Sequence, residues 1–352
     1  MIRHCVCLRL PSIVLTHKGR LHILGPPQGI FSFRISVKKG MGVQDRPNGV
    51  YIRFGKETDL IAGGIRPMAE IGLRSIAFIG GGVMGEAMIQ GLLRHKTVAP
   101  DGVIVSEPNE KRRRGIEQRY SVRTTSDNRG AVQQGDVVVL SIKPQILARI
   151  LPELKGMLRA DQLVLSIIAG GRIATLADGL AHQAIVRAMP NTPAQIGQGL
   201  TVWTATADVN DAQREQARMV FQSLGKEIQV DDEKYLDMAT AVSGTGPTYT
   251  FLVLEALIDA AVHLGFARDV AHDIVIETML GSVLYAQQSE KHPAELRNMV
   301  TSPGGTSAEA IYQMEKGSLR TVLSKAVWAA YQKSCLLGET VGKTTLRKSI
   351  AK

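Results

Sequence analysis

Residues 75–93 read SIAFIGGGVMGEAMIQGLL, and this stretch decides the fold. Ser75 to Ile79 is a short apolar run of strand length, and it stops at Gly80, Gly81 and Gly82. Met84, Met88, Ile89, Leu92 and Leu93 then recur at the spacing of one helix face. Strand, glycine turn and helix in that order are the context in which a G-x-G-x-x-G pattern carries a mechanism. Gly80 permits the tight turn, Gly82 lets backbone approach a pyrophosphate, and Gly85 lets helix and strand pack closely. The phosphate meets the unpaired N–H groups and positive dipole end of the helix, so a dinucleotide is the expected ligand.

Downstream, the same alternation continues. Strand-like runs at 103–106, 136–142, 163–168 and 184–188 are interleaved with helix-like stretches at 112–120 and 147–158. A strand-like 201–204, a helix over 211–224 and a last run at 228–230 follow. The pattern predicts a Rossmann-like, doubly wound parallel sheet over 75–231. From 232 to 343 nearly every segment reads as helix, with turns at Gly244 to Pro247, at Gly265, at His292-Pro293 and at Ser302 to Gly305. The boundary is expected near Asp231, with 344–352 a tail. Helices this apolar on several faces need a partner, so an all-helical dimerisation domain and a homodimer are expected.

The 352 residues leave room for about two domains. The net charge of +10 would suggest an anionic partner, but it is unevenly placed. Residues 1–74 carry 12 Lys/Arg against 4 Asp/Glu, whereas the rest carries 30 against 28. Neither nucleic acid nor a membrane is expected as a partner, and no apolar run has the length of a membrane helix. The three cysteines, Cys5, Cys7 and Cys335, form no disulfide framework and fit a reducing compartment, the cytoplasm. No spacing of His, Cys, Asp or Glu suggests a metal. Residues 1–74 form a basic leader, read either as a targeting segment or as sequence before a true start at Met41 or Met68. Residues 1–67 are expected to be largely disordered and to carry no chemistry.

The end of the second strand selects between the two dinucleotides, because an acid there binds a ribose 2′-hydroxyl and repels a 2′-phosphate. Val105-Ser106-Glu107-Pro108-Asn109 is followed by Lys111-Arg112-Arg113-Arg114. Glu107 favours NADH, and Ser106 with the basic run favours NADPH. The expectation is NADPH, with NADH accepted.

Five motifs carry a family resemblance: IGGGVMG at 79–85, SIKPQ at 141–145, RAMPNTPA at 187–194, VSGTGPTY at 242–249 and VTSPGGTS at 300–307. Over about 75–340 the chain resembles pyrroline-5-carboxylate reductase. The resemblance implies reduction of the C=N bond of 1-pyrroline-5-carboxylate to L-proline by NAD(P)H, in a homodimer and possibly a larger ring of dimers. It implies a pyrophosphate cradle of Ile79, Gly80, Gly81, Gly82, Val83, Met84 and Gly85. Ser106, Pro108 and Asn128 would lie by the adenosine ribose and its phosphate, and Ile142, Lys143 and Pro144 by the nicotinamide ribose. Ala169 and Gly170 would leave room for the nicotinamide, and Asn191 would either position its carboxamide or cap its own turn. Glu233, Gly304, Gly305, Thr306 and Ser307 would bind substrate, with Thr306 and Ser307 catalytic as the source of the ring-nitrogen proton. Ser307 stands where the family most often has Thr, Thr245 where it has Ser and Thr248 where it has Ala.

Two other readings fit a glycine-loop domain joined to a helical one. A 3-hydroxyacid dehydrogenase would place a lysine on the long interdomain helix, and 249–265 holds none. A non-catalytic NAD(P)H sensor would have no need of Thr306, Ser307 and the glycines before them.

Overall fold

The computed structural model describes residues 73–350 continuously, with side chains for 73–340 and for 342, together with five short strands between 13 and 53. Two compact units result, Met1–Arg66 and Pro67–Lys352. In the first, β1 (Ile13–Thr16), β2 (Arg20–Leu24) and β3 (Ile30–Phe33) pair antiparallel, as do β4 (Gly42–Arg46) and β5 (Gly49–Arg53). These positions carry runs such as IVLT and IFSF, whose β-branched and aromatic residues suit a pleated strand. These strands fall within residues 1–67, and the rest of the expectation of disorder there lies outside the described residues.

The second unit is built on an eight-stranded sheet of order β13-β12-β11-β10-β9-β6-β7-β8. Its strands are β6 (Ile76–Ile79), β7 (Val103–Ser106), β8 (Arg123–Thr125), β9 (Val137–Leu140), β10 (Leu163–Ser166), β11 (Ile185–Met189), β12 (Gly199–Ala205) and β13 (Gly225–Gln229). Alternate residues feed two cores. Ile76, Phe78, Val137, Val139, Leu163 and Leu165 face one, whereas Ala77, Ile79, Val138, Leu140 and Val164 face the other. A sheet buried on both sides reads as continuous apolar runs, which is why strands were legible without polar alternation. Helices α1 (Val83–Arg94), α2 (Glu110–Tyr120) and α6 (Asp211–Gln222) contribute to the first core. Helices α3 (Asn128–Gln134), α4 (Leu147–Leu154) and α5 (Ile173–Leu180) contribute to the second.

The expected parallel sheet needs one correction, because β12 runs antiparallel to β11. Only residues 190–198 join the two strands, with a single 310 turn at Thr192–Ile196, and a parallel return needs a longer crossover. Helix α6 supplies such a crossover, and β13 is parallel to β12. Its start is held by a capping box, Asn210 Oδ1 accepting the Gln213 N–H at 2.9 Å and Gln213 Oε1 the Asn210 N–H at 3.1 Å. Strand β8 and helices α3 and α5 went unread. The first is a polar three-residue edge, and the helices span seven and eight residues, too few for a clear period.

The sheet ends at Gln229 and the helices begin with α7 (Lys234–Ala239), on either side of the expected boundary. A π-helical turn, Thr240–Gly244, leads into α8 (Gly246–His263), α9 (Arg268–Gln288), α10 (Pro293–Met299), α11 (Thr306–Lys316) and α12 (Leu319–Ile350). Helices α8, α10 and α11 bury no residue within the chain, and α9 buries only Ala271 and Val275. Phe251, Leu252, Val283, Tyr285 and Trp328 are all more than half exposed. Apolar surface of that extent marks an interface.

Candidate active site

Strand order reverses between β6 and β9, and ligands of open α/β sheets gather at the carboxyl ends of strands at such a point. Gly80 follows β6 with φ +101°, outside the range of ordinary side chains. A Cβ on it would stand 2.8 Å from the Ser141 carbonyl oxygen, and one on Gly85 would stand 2.8 Å from that of Gly80. Ser141 braces the turn, its hydroxyl donating to the Gly80 carbonyl at 2.7 Å. At Gly82 a Cβ would meet only that Ser141 oxygen at 3.8 Å, so backbone there is open to a ligand. Gly82 caps α1 without a side-chain hydrogen bond to the first-turn N–H groups, and Val83 is 57% exposed. Ile79 is buried at the strand end, and Met84 packs half-buried against the first core. An uncapped helix N-terminus behind bare glycine backbone fits a dinucleotide pyrophosphate.

Beside this loop, Ser106 is 1% exposed. Its hydroxyl donates to Asn128 Oδ1 at 2.7 Å, and the Asn128 amide donates to both oxygens of Glu153 at 3.1 Å. The pair expected at the ribose is thus closed into a network with Glu153, a residue the sequence reading missed. Pro108 is exposed. Glu107 lies alongside Gly81 and takes its N–H at 3.1 Å, while its other oxygen takes the Asn109 N–H at 3.0 Å.

Following β9, Ile142 leans on the second core and Lys143 is exposed, with Pro144 opening a 310 turn. Ala169 is half-buried beyond β10. Gly170, at φ +72°, is where α12 arrives: a Cβ there would come within 2.9 Å of Leu337 and Gly338 backbone. The bare backbone at Gly170 also permits this close helix approach.

Two motifs far apart in sequence meet beyond β11. The Asn191 amide donates to the Ser243 carbonyl at 3.3 Å and its oxygen accepts the Leu200 N–H at 2.8 Å. The Met189 methyl lies against Gly244, 2.7 Å from where a Cβ would stand. RAMPNTPA and VSGTGPTY therefore form one junction, and the latter is where the helix widens into a π turn. Such turns recur at functional sites. The Thr245 hydroxyl stays within this turn, donating to the Thr240 carbonyl at 2.8 Å.

Glu233 also sits at this junction, and it is engaged. Its Oε1 accepts the Ile173 N–H at 2.7 Å, at the start of α5, and the Arg187 guanidinium at 2.8 Å. Arg187 is 3% exposed and reaches Asp237 at 3.3 Å, which in turn accepts the Ser334 hydroxyl of α12 at 2.9 Å. A lone arginine inside the apolar strand Ile185–Met189 was the available signal for this network, because a buried guanidinium needs carboxylate partners. On the exposed side of the same helix start, the N–H and ammonium of Lys234 hold the Asp232 carboxyl below the ordinary range.

The Gly304-Gly305-Thr306-Ser307 loop opens α11. Gly304 has φ +69°, and Gly305 caps the helix without a side-chain bond. Among the described residues, neither the Thr306 nor the Ser307 hydroxyl has a partner, and no hydrogen bond or ion pair joins this loop to the sheet. Helix α11 packs on α12. The glycine loop, Lys143 and Asn191 therefore follow the carboxyl ends of β6, β9 and β11, and the hydroxyl loop stands on the helical half. No group of three His, Cys, Asp or Glu side chains is placed to hold a metal among the described residues. Nor is any helix among them long and apolar enough to cross a membrane.

Comparison with known proteins agrees with this division. Residues 233–337 match the model for pyrroline-5-carboxylate reductase dimerisation, and residues 75–170 match that for NADP oxidoreductase, coenzyme F420-dependent. The chain is 40% identical to the pyrroline-5-carboxylate reductase of Synechocystis over 75% of its own length and 98% of that protein's. It is 39% identical to that of Pseudomonas aeruginosa over 76% and 98%. A crystal structure of Plasmodium falciparum pyrroline carboxylate reductase with NADP bound superposes with a TM-score of 0.70 at 31% identity, over 75% of this chain and 98% of that one. The Coxiella burnetii enzyme superposes at 0.68 with 35% identity, over the same shares. With its dinucleotide loop, its dimerisation helices and relatives matched almost end to end, this chain belongs to the pyrroline-5-carboxylate reductase family.

Proposed function

We propose that this chain reduces 1-pyrroline-5-carboxylate to L-proline, the last step of proline synthesis, with NAD(P)H as reductant and as a homodimer. The observation that carries the reading is the 40% identity to the Synechocystis reductase across 98% of that protein. Bound at the glycine loop, NAD(P)H supplies the hydride. The Gly80 to Gly85 backbone and the α1 N-terminus hold the pyrophosphate, and Ile142, Lys143 and Pro144 flank the neighbouring ribose. Asn191 keeps the turn after β11 against the π turn, so it acts on geometry more than on the carboxamide.

On the helical half, the Gly304 N–H and the first-turn N–H groups of α11 bind the substrate carboxylate, the Gly305 N–H being held by the Ser302 carbonyl at 3.1 Å. Thr306 and Ser307 hydroxyls bond the substrate, one of them relaying a proton from water to the ring nitrogen, so that hydride adds to the protonated imine and the C=N bond becomes CH–NH. A protonated imine accepts hydride readily, so positioning does most of the work and no strong general acid is required. Within one chain these hydroxyls make no bond to the sheet edge. The complete site is therefore assembled when the exposed apolar faces of α8 and α9 pair with those of a second copy. Glu233 holds Arg187 and the start of α5 through Oε1 and so shapes the junction, with Oε2 left to meet substrate. Dimers gather further into a ring, and the enzyme works in the cytoplasm.

The test is loss of NADPH and NADH absorbance on adding 1-pyrroline-5-carboxylate to purified protein, with L-proline identified as product. Binding of both cofactors without turnover would sink the activity and leave the sensor reading.

A further inference from the structure

The geometry points to Glu107 as the residue that makes this chain select NADH over NADPH. The inference rests on the reading of Gly80 to Gly85 as a dinucleotide cradle and deepens it.

Backbone hydrogen bonds fix the place. Glu107 N–H donates to the Thr125 carbonyl at 2.9 Å and Gly80 N–H to the Ser106 carbonyl at 2.8 Å, so Glu107 is the first side chain beyond the strand next to the glycine loop. Its Cβ would lie 3.4 Å from a Cβ built on Gly81. Both oxygens are then pinned, one by the Gly81 N–H at 3.1 Å and one by the Asn109 N–H at the cap of α2 at 3.0 Å. A carboxylate oxygen has two lone pairs, so each still has capacity for a ribose hydroxyl. A 2′-phosphate in that place meets a fixed negative charge instead.

The groups that would favour the phosphate are each engaged in part by the protein itself. Ser106 is buried and donates to Asn128, whose amide is held by Glu153. Arg112 donates to the Gly81 carbonyl and to Glu86, and Arg113 donates to the carbonyls of Glu107 and Pro108 at 2.7 and 2.9 Å. Arg114 pairs with Glu110. These guanidiniums brace the strand end and the loop, and Lys111 alone of the run has no partner among the described residues. A 2′-phosphate meets the Glu107 carboxylate first, and only the guanidinium N–H groups left over from these bonds, such as Nε and Nη2 of Arg113, are placed to offset the repulsion.

The experiment is equilibrium binding of NADH, NADPH, ADP-ribose and 2′-phospho-ADP-ribose to the full-length protein, wild type and Glu107→Gln, at low and high salt. Wild type is expected to bind NADH about tenfold or more tightly than NADPH, with the same ratio for the two fragments. Salt narrows the ratio by screening the repulsion. Glu107→Gln brings it close to one, chiefly by tightening NADPH. Glu107→Ser, which cannot bridge Gly81 and Asn109, serves if the Gln variant melts early. Equal or tighter NADPH binding by wild type, or an unchanged ratio in both variants, overturns the assignment. Binding of neither cofactor overturns the cradle itself. Selective binding of NADH without turnover of 1-pyrroline-5-carboxylate upholds Glu107 and removes the proposed activity, so the two failures are distinct.

Discussion

Replacing Arg187 by Met tests whether the sheet and the helices are bolted together by charge. The side chain is 3% exposed, with Nη1 on Glu233 at 2.8 Å and Nη2 on Asp237 at 3.3 Å. The Asp237 side chain is 11% exposed, and once the guanidinium is gone only the Ser334 hydroxyl at 2.9 Å still serves it. Stranding a buried carboxylate in this way costs about 3 to 5 kcal/mol. Glu233, 29% exposed, regains water and adds about 1 kcal/mol or less. The expected loss is therefore about 4 kcal/mol, and Asp237→Asn made on top of Arg187→Met should return part of it by removing the stranded charge. Urea unfolding at one fixed protein concentration reads both numbers, the concentration being fixed because dimerisation contributes to stability. A loss below about 1 kcal/mol for Arg187→Met, or no recovery in the double variant, would refute the idea that this network carries the junction.

Gly80→Ala places a Cβ 2.8 Å from the Ser141 carbonyl at φ +101°, so dinucleotide affinity should fall by about tenfold or more with the helical half still folded, read by titration and circular dichroism. Thr306→Val with Ser307→Ala should lower turnover about 100-fold while leaving NADH and NADPH affinity intact. Unchanged turnover would remove the loop from the site. Phe251→Glu or Leu252→Glu, at positions 62% and 65% exposed in the single chain, should yield monomers in sedimentation and abolish turnover, because the α11 hydroxyls would have no facing sheet edge. An active monomer would show the site is complete in one chain.

The glycine loop and its strand were legible because their chemistry is local. A tight turn, a helix start and an apolar run are written within eleven residues, 75–85, and no distant contact is needed to interpret them. The same holds for the change from alternating elements to helices near 231. The bland polar strand β8 and the short helices α3 and α5 were not legible, since the contacts that stabilise them are tertiary.

The sequence by itself determined the dinucleotide fold, the helical half with its excess apolar surface, and the family. It could list Ser106, Glu107 and the arginines as opposing votes on the cofactor, but not weigh them. Only tertiary structure shows Arg112 and Arg113 bracing loop and strand-end carbonyls and Glu107 fixed on two N–H groups. Only tertiary structure, likewise, shows Glu233 bonded to Arg187, 46 residues away, and α12 packed against Gly170. The reason is physical. Residue type sets what a polar group is able to bond, but which partner it meets depends on the packing of segments distant in the chain, and a hydrogen bond already made is unavailable to a ligand unless it is first broken.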